Sequence, residues 1–131
     1  MDTKGVIQRL REALPDTMAI YRFGSQVSGR THQESDLDLA VLLPSPLPAV
    51  RRFEIEQDLA AFLHTNVDLV DLRAASTVFR MQVVSTGECL YARDETERRR
   101  FQTAVYSAYA RLNEERREIL TRITNEGHVY G

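Results

Sequence analysis

Short apolar runs that alternate with amphipathic segments limit the fold of this chain more than any other feature. Four runs have the lengths and residue types of strands: 18–23 (MAIYRF), 37–43 (LDLAVLL), 67–72 (VDLVDL) and 89–92 (CLYA). Apolar residues recur at helical spacing in four other segments: 5–14, about 49–65, 74–87 and from 94 onward. The pattern predicts an α/β (α+β) domain, a small mixed β-sheet backed by helices, and leaves the strand directions open.

Chain length and charge narrow the class of protein. A length of 131 residues suffices for one hydrophobic core, so we expect a single domain over residues 1–131. The net charge of −2 gives no reason to expect nucleic-acid or membrane binding. No apolar run approaches the roughly 20 residues that span a bilayer. We therefore expect a cytoplasmic protein, with the single cysteine, Cys89, buried among its apolar neighbours.

The C-terminal segment, about 94–131, is predicted to be one long helix followed by a tail. An apolar stripe runs along it, and Gly127 is expected to end it. The stripe consists of Phe101, Val105, Ala108 and Leu112, continued by Ile119, Leu120 and Ile123. We regard this element as a candidate surface for docking a partner.

Two carboxylates, Asp36 and Asp38, stand at the start of the second strand. Side chains alternate across a strand, so both should project from the same face, where they would repel each other. A hard divalent cation removes this repulsion, because Mg²⁺ prefers carboxylate oxygens. The spacing therefore predicts a metal site at this end of the strand.

A third carboxylate, Asp68, lies between Val67 and Leu69 in the next strand. Placed beside the second strand, it would complete a three-carboxylate cluster able to hold two metal ions for a phosphoryl-type displacement. Asp71 lies three residues further on and should face the opposite side. We interpret it as a cap for the following helix or a partner of Arg73.

Gly24 and Ser25 follow the first strand directly. Glycine permits a close approach of the backbone to a ligand, and a helix that begins at Ser25 would direct free N–H groups at an anion. Arg30 is the nearest basic residue able to contact a phosphate. These three residues are candidates for binding a nucleotide triphosphate.

The arrangement Gly-Ser, ten residues, Asp-x-Asp resembles the signature of the DNA polymerase beta-type nucleotidyltransferase superfamily. Within it, the chain is similar to the minimal nucleotidyltransferase (MNT) antitoxins of HEPN/MNT toxin–antitoxin systems. The similarity rests on GSQVSG…SDLDLAVL at the front, VDLVDLR in the middle and ILTRITNEGHVYG at the end. Relatives often carry a basic residue in the turn after Gly-Ser, where this chain has Gln26, Val27 and Ser28.

The resemblance implies an enzyme that transfers AMP from ATP to a tyrosine of a cognate HEPN ribonuclease toxin and thereby inactivates it. By position, Gly24 and Ser25 would hold the triphosphate. Asp36 and Asp38 would bind two Mg²⁺ ions. Asp68 would bind the catalytic ion and help to deprotonate the tyrosine.

Two other functions stay open at this point. One is a small-molecule nucleotidyltransferase, such as an aminoglycoside-modifying enzyme, although 131 residues leave little room for the extra substrate domain that such enzymes usually carry. The other is a non-catalytic antitoxin that acts by occlusion. The Gly-Ser pair and three carboxylates argue against a degenerate site.

Overall fold

A computed structural model describes residues 1–24 and 37–130 of the backbone, with side chains to Asn125. These residues form four strands and four helices, in chain order α1 (Thr3–Ala13), β1 (Ala19–Phe23), β2 (Leu37–Leu42), α2 (Ala49–Leu63), β3 (Val67–Asp71), α3 (Thr77–Thr86), β4 (Glu88–Ala92) and α4 (Glu95–Tyr130). The four predicted strands and the four longer predicted helices are present, within a few residues of their expected bounds, whereas the helix expected to begin at Ser25 lies outside the described residues.

The strands form one sheet in the order β3-β2-β1-β4. β1 pairs antiparallel with β2 and β4, whereas β2 and β3 are parallel. The connection between the parallel strands is α2, as a crossover of this kind requires. The predicted mixed sheet backed by helices is therefore confirmed.

Each face of the sheet has its own hydrophobic core. One face packs against α1 and α2 through Val6, Leu10, Ile20, Leu39, Val41, Ile55, Leu59 and Leu69, among others. The other face packs against α3 and α4 through Ala19, Tyr21, Ala40, Leu42, Leu72 and Val83, with Phe101 at its margin. The strict alternation of β2 side chains between these two cores fixes which way each of its residues faces.

The outer edge of β3 is closed by two side chains of α2. The Glu56 carboxylate accepts a hydrogen bond of 2.7 Å from the Leu69 backbone N–H, and the Arg52 guanidinium donates one of 3.2 Å to the Leu69 carbonyl. Arg52 and Glu56 also form an ion pair of 3.1 Å, in which the Glu56 side chain is only 10% exposed. At Leu69 the groups that an added strand would use are therefore already bonded.

Two expectations for the second half of the chain are wrong. Cys89 is exposed, because β4 is an edge strand. Gly127 does not end α4, which continues to Tyr130; an exposed glycine weakens a helix by about 1 kcal/mol but does not interrupt its hydrogen bonds.

The helix α4 begins after Asp94, whose carboxylate accepts bonds from the N–H groups of Thr96 and Glu97. Val105 is buried against the domain, but every residue from Glu114 to Asn125 is exposed. Among the described residues, none of the helices combines the length and the apolar content required to span a membrane.

Candidate active site

Two of the three predicted carboxylates lie side by side on neighbouring strands. In the parallel pairing of β2 with β3, Asp38 is the direct partner of Asp68. Residues opposite each other in such a pair project from the same face. Alternation along β2 places Asp38 on the face of Ala40 and Leu42, which packs against α3. Asp38 is half-buried and Asp68 is exposed, so both can reach a ligand at this end of the sheet.

Gly24 lies next to the same pair. It follows Phe23, the antiparallel partner of Asp38, at the end of β1. Its φ of +86° belongs to the left-handed region that favours glycine. A Cβ added to Gly24 would overlap the Asp38 carboxylate. Glycine is thus required here both by the backbone conformation and by the close approach of Asp38.

Three predicted site residues, Ser25, Arg30 and Asp36, lie outside the described residues. Asp36 is two positions before Asp38, and Ser25 follows Gly24 directly. In residues 1–24 and 37–130 there is accordingly no group of three potential metal ligands. The two carboxylates that are described still offer the hard oxygen donors that suit Mg²⁺.

Asp71 faces away from this pair, as expected. It is the partner of Val41, whose side chain lies in the opposite core, and it is only 6% exposed. Its carboxylate accepts hydrogen bonds from the backbone N–H groups of Leu47 (2.8 Å) and Arg73 (3.0 Å). Asp71 therefore stabilises the turn after β3, while Ser76 caps the following helix.

Sequence reasoning missed two pairs of residues that support the site. Phe23, beside Asp38, makes an edge-on contact with Phe79 of α3, with ring centroids 5.2 Å apart. This contact ties the end of β1 to α3, which packs against the same face of the sheet. Arg52 and Glu56 hold the strand that carries Asp68. The i,i+4 spacing of that ion pair was visible in the sequence, but its burial against β3 was not.

The order of the strands gives the site two sides. Gly24, directly after β1, and Asp68 on β3 flank Asp38 on β2, which lies between these two strands. A phosphate bound at Gly24 and a nucleophile close to Asp68 would thus approach Asp38 from opposite sides. This arrangement suits the displacement of one phosphate oxygen by another, with carboxylates between them.

Comparison with known proteins agrees with this geometry. The family model described as polymerase beta, nucleotidyltransferase matches residues 6–96. The chain belongs to the polymerase beta nucleotidyltransferase family. Gly24, Asp38 and Asp68 all lie inside the matched region.

Relatives within the family are similar over most of this nucleotidyltransferase chain. The protein adenylyltransferase MntA of Shewanella oneidensis is 41% identical over 115 residues, which cover 88% of this chain and 82% of that protein. This similarity places the chain in the minimal nucleotidyltransferase branch of the family, as the sequence predicted.

Solved structures of toxin–antitoxin complexes contain a chain with the same fold. In a crystal structure of a toxin–antitoxin with AMP-PNP, one chain is 38% identical, with a TM-score of 0.85 and coverage of 95% of this chain and 99% of that one. A structure of a tri-AMPylated Shewanella oneidensis HEPN toxin in complex with MNT antitoxin gives 36% identity and a TM-score of 0.77, covering 93% and 95%.

Proposed function

We propose that this nucleotidyltransferase is an antitoxin that transfers AMP from ATP to a tyrosine of a HEPN ribonuclease toxin and so inactivates it. The observation that carries the proposal is the direct pairing of Asp38 with Asp68, beside the glycine that follows β1. The 41% identity to a protein adenylyltransferase supports the choice of reaction. ATP, toxin and antitoxin would meet in the cytoplasm.

The proposed roles follow the two sides of the site. Gly24, Ser25 and Arg30 bind the triphosphate, and Asp36, Asp38 and Asp68 hold two Mg²⁺ ions. When bound, these ions neutralise the charge that develops on the phosphate oxygens. Asp38, half-buried between Gly24 and Asp68, would be one of the residues that hold these ions.

The transfer itself is a displacement at the α-phosphorus of ATP. The tyrosine oxygen forms the new P–O bond, the bond to the bridging oxygen breaks, and pyrophosphate leaves. The phenolic proton passes to a carboxylate oxygen of Asp68, which lies on the side away from Gly24. The toxin thereby gains one AMP group for each ATP consumed.

Within the described residues, the acceptor side of the site is accessible. Asp68 is exposed on the edge strand β3. A tyrosine on the surface of a folded toxin can approach such an open site.

The test is the intact mass of the toxin after incubation with this protein, ATP and Mg²⁺. We expect mass increases of whole AMP units, followed by loss of ribonuclease activity. Asp38→Asn and Asp68→Asn should each lower the rate by at least about 100-fold, since each removes a charged metal ligand. Asp71→Asn serves as the matched control, because Asp71 faces the other core.

Chelation of the metal gives a second measurement. EDTA should abolish transfer, and excess Mg²⁺ should restore it. If the toxin is silenced with no change in mass, and the Asp38→Asn variant silences it equally well, the protein acts by occlusion and the proposal of AMP transfer is wrong.

A further inference from the structure

The distal half of α4 carries an apolar stripe that is exposed in the part of the chain that the structure describes. Ile119, Leu120 and Ile123 are 51%, 63% and 58% exposed. Beyond Asn113 the helix extends over about 26 Å, at 1.5 Å per residue. An isolated helix of this length is marginally stable in water, and its stability normally comes from packing of an apolar face.

An arginine lies within this stripe. Leu112 lies four residues before Arg116, and Ile119 and Leu120 lie three and four residues after it. All four residues therefore share one side of the helix. Within the described residues Arg116 makes no ion pair. We call Arg116, Ile119, Leu120 and Ile123 the distal stripe.

We infer that the distal stripe is the surface on which the toxin docks, and that the toxin presents an apolar face with a carboxylate opposite Arg116. The inference rests on the proposed function, which supplies the toxin as the partner. A charge at the centre of an apolar interface is tolerated when the partner provides its counter-charge. The stripe therefore specifies the chemistry of the surface that covers it.

Complexes of similar chains favour a toxin over a second copy of this chain as the occupant. In the crystal structure of a toxin–antitoxin with AMP-PNP, the similar chain aligns with 95% of this chain. Because so few residues lie outside this alignment, it reaches into the distal part of α4. The distal helix is thus a shared feature of chains crystallised with a toxin.

The experiment measures the Kd of this protein for the toxin by calorimetry, in the absence of ATP. Ile123→Asp and Arg116→Glu should each weaken binding by at least about tenfold, as hot-spot substitutions do. Thr121→Asp is the matched control: it adds the same charge about half a turn away from the stripe, and should change the Kd by less than about twofold.

The variants should fold, because the substituted residues are exposed; unchanged thermal unfolding of the free protein checks this. If Ile123→Asp and Arg116→Glu both bind the toxin with wild-type affinity, the distal stripe is not the docking surface. That result would not contradict the proposed AMP transfer. Tight binding that depends on the stripe, without any AMP transfer, would instead refute the proposed function. Dimers of the free protein that disappear in Ile123→Asp would assign the stripe to a second copy and overturn the inference.

Discussion

Substitution of Gly24 by alanine tests the geometry of the site at its tightest point. Two effects should combine. The φ of +86° is unfavourable for alanine by about 1–2 kcal/mol. The added Cβ would also overlap the Asp38 carboxylate, so that side chain must move.

The two effects have different consequences. The backbone strain should lower the midpoint of thermal unfolding by roughly 3–10 °C for a domain of this size. Displacement of Asp38 by about 1 Å should lower the rate of AMP transfer by about 100-fold, because catalytic groups tolerate little misplacement. The loss of activity should therefore far exceed the loss of folded protein at 25 °C.

The assay is AMP incorporation into the toxin at 25 °C, with thermal unfolding measured on the same preparation. Gly5→Ala is the matched control, since Gly5 lies in α1, on the other side of the molecule from the carboxylates. The atoms nearest to its added Cβ belong to the side chains of Asp2 and Phe62, which must shift, so this variant also creates a close contact but leaves the carboxylates of the site in place. Activity of Gly24→Ala within twofold of the wild-type rate would refute the close approach of Asp38 to Gly24.

Two further predictions concern stability and reactivity. Glu56→Ala removes the acceptor of the Leu69 N–H and the partner of Arg52, and should lower the free energy of unfolding by about 2 kcal/mol; an unchanged urea midpoint would contradict this. Although Cys89 is an exposed residue, its thiol is partly desolvated against the protein; this raises the pKa of the thiol, and the Arg98 charge opposes the increase. A raised pKa means less thiolate at pH 7.5, so iodoacetamide should label Cys89 more slowly than free cysteine, and still more slowly in Arg98→Ala. Equal rates for Cys89 and free cysteine would rule out the raised pKa.

Local patterns in the sequence account for much of the site. The alternation of Asp38 with Leu37 and Leu39 required its carboxylate to face away from the core formed with α1 and α2, and it does so. The same period of two separated Asp68 from Asp71, which lies on the opposite face. These predictions succeed because the side-chain period of a strand is a property of the local backbone.

Pairs of distant residues could not be read in the same way. Glu56 looks like any exposed helical glutamate, and only the packing of α2 along the edge of β3 buries it. The predicted burial of Cys89 was wrong for the reverse reason, because the apolar neighbours of Cys89 in the sequence do not reveal that β4 is an edge strand. In both cases burial depends on what lies beside the element, which its own sequence does not encode.

The sequence by itself determined the strands and the longer helices, the faces of Asp38, Asp68 and Asp71, and the glycine at the end of β1, because each follows from backbone period and residue size. Only the tertiary structure decided that β2 and β3 run parallel with Asp38 opposite Asp68, and that the end of α4 projects with its apolar stripe uncovered. Strand pairing and helix packing bring together residues far apart in the chain. Their register is set by the whole core, not by any one segment.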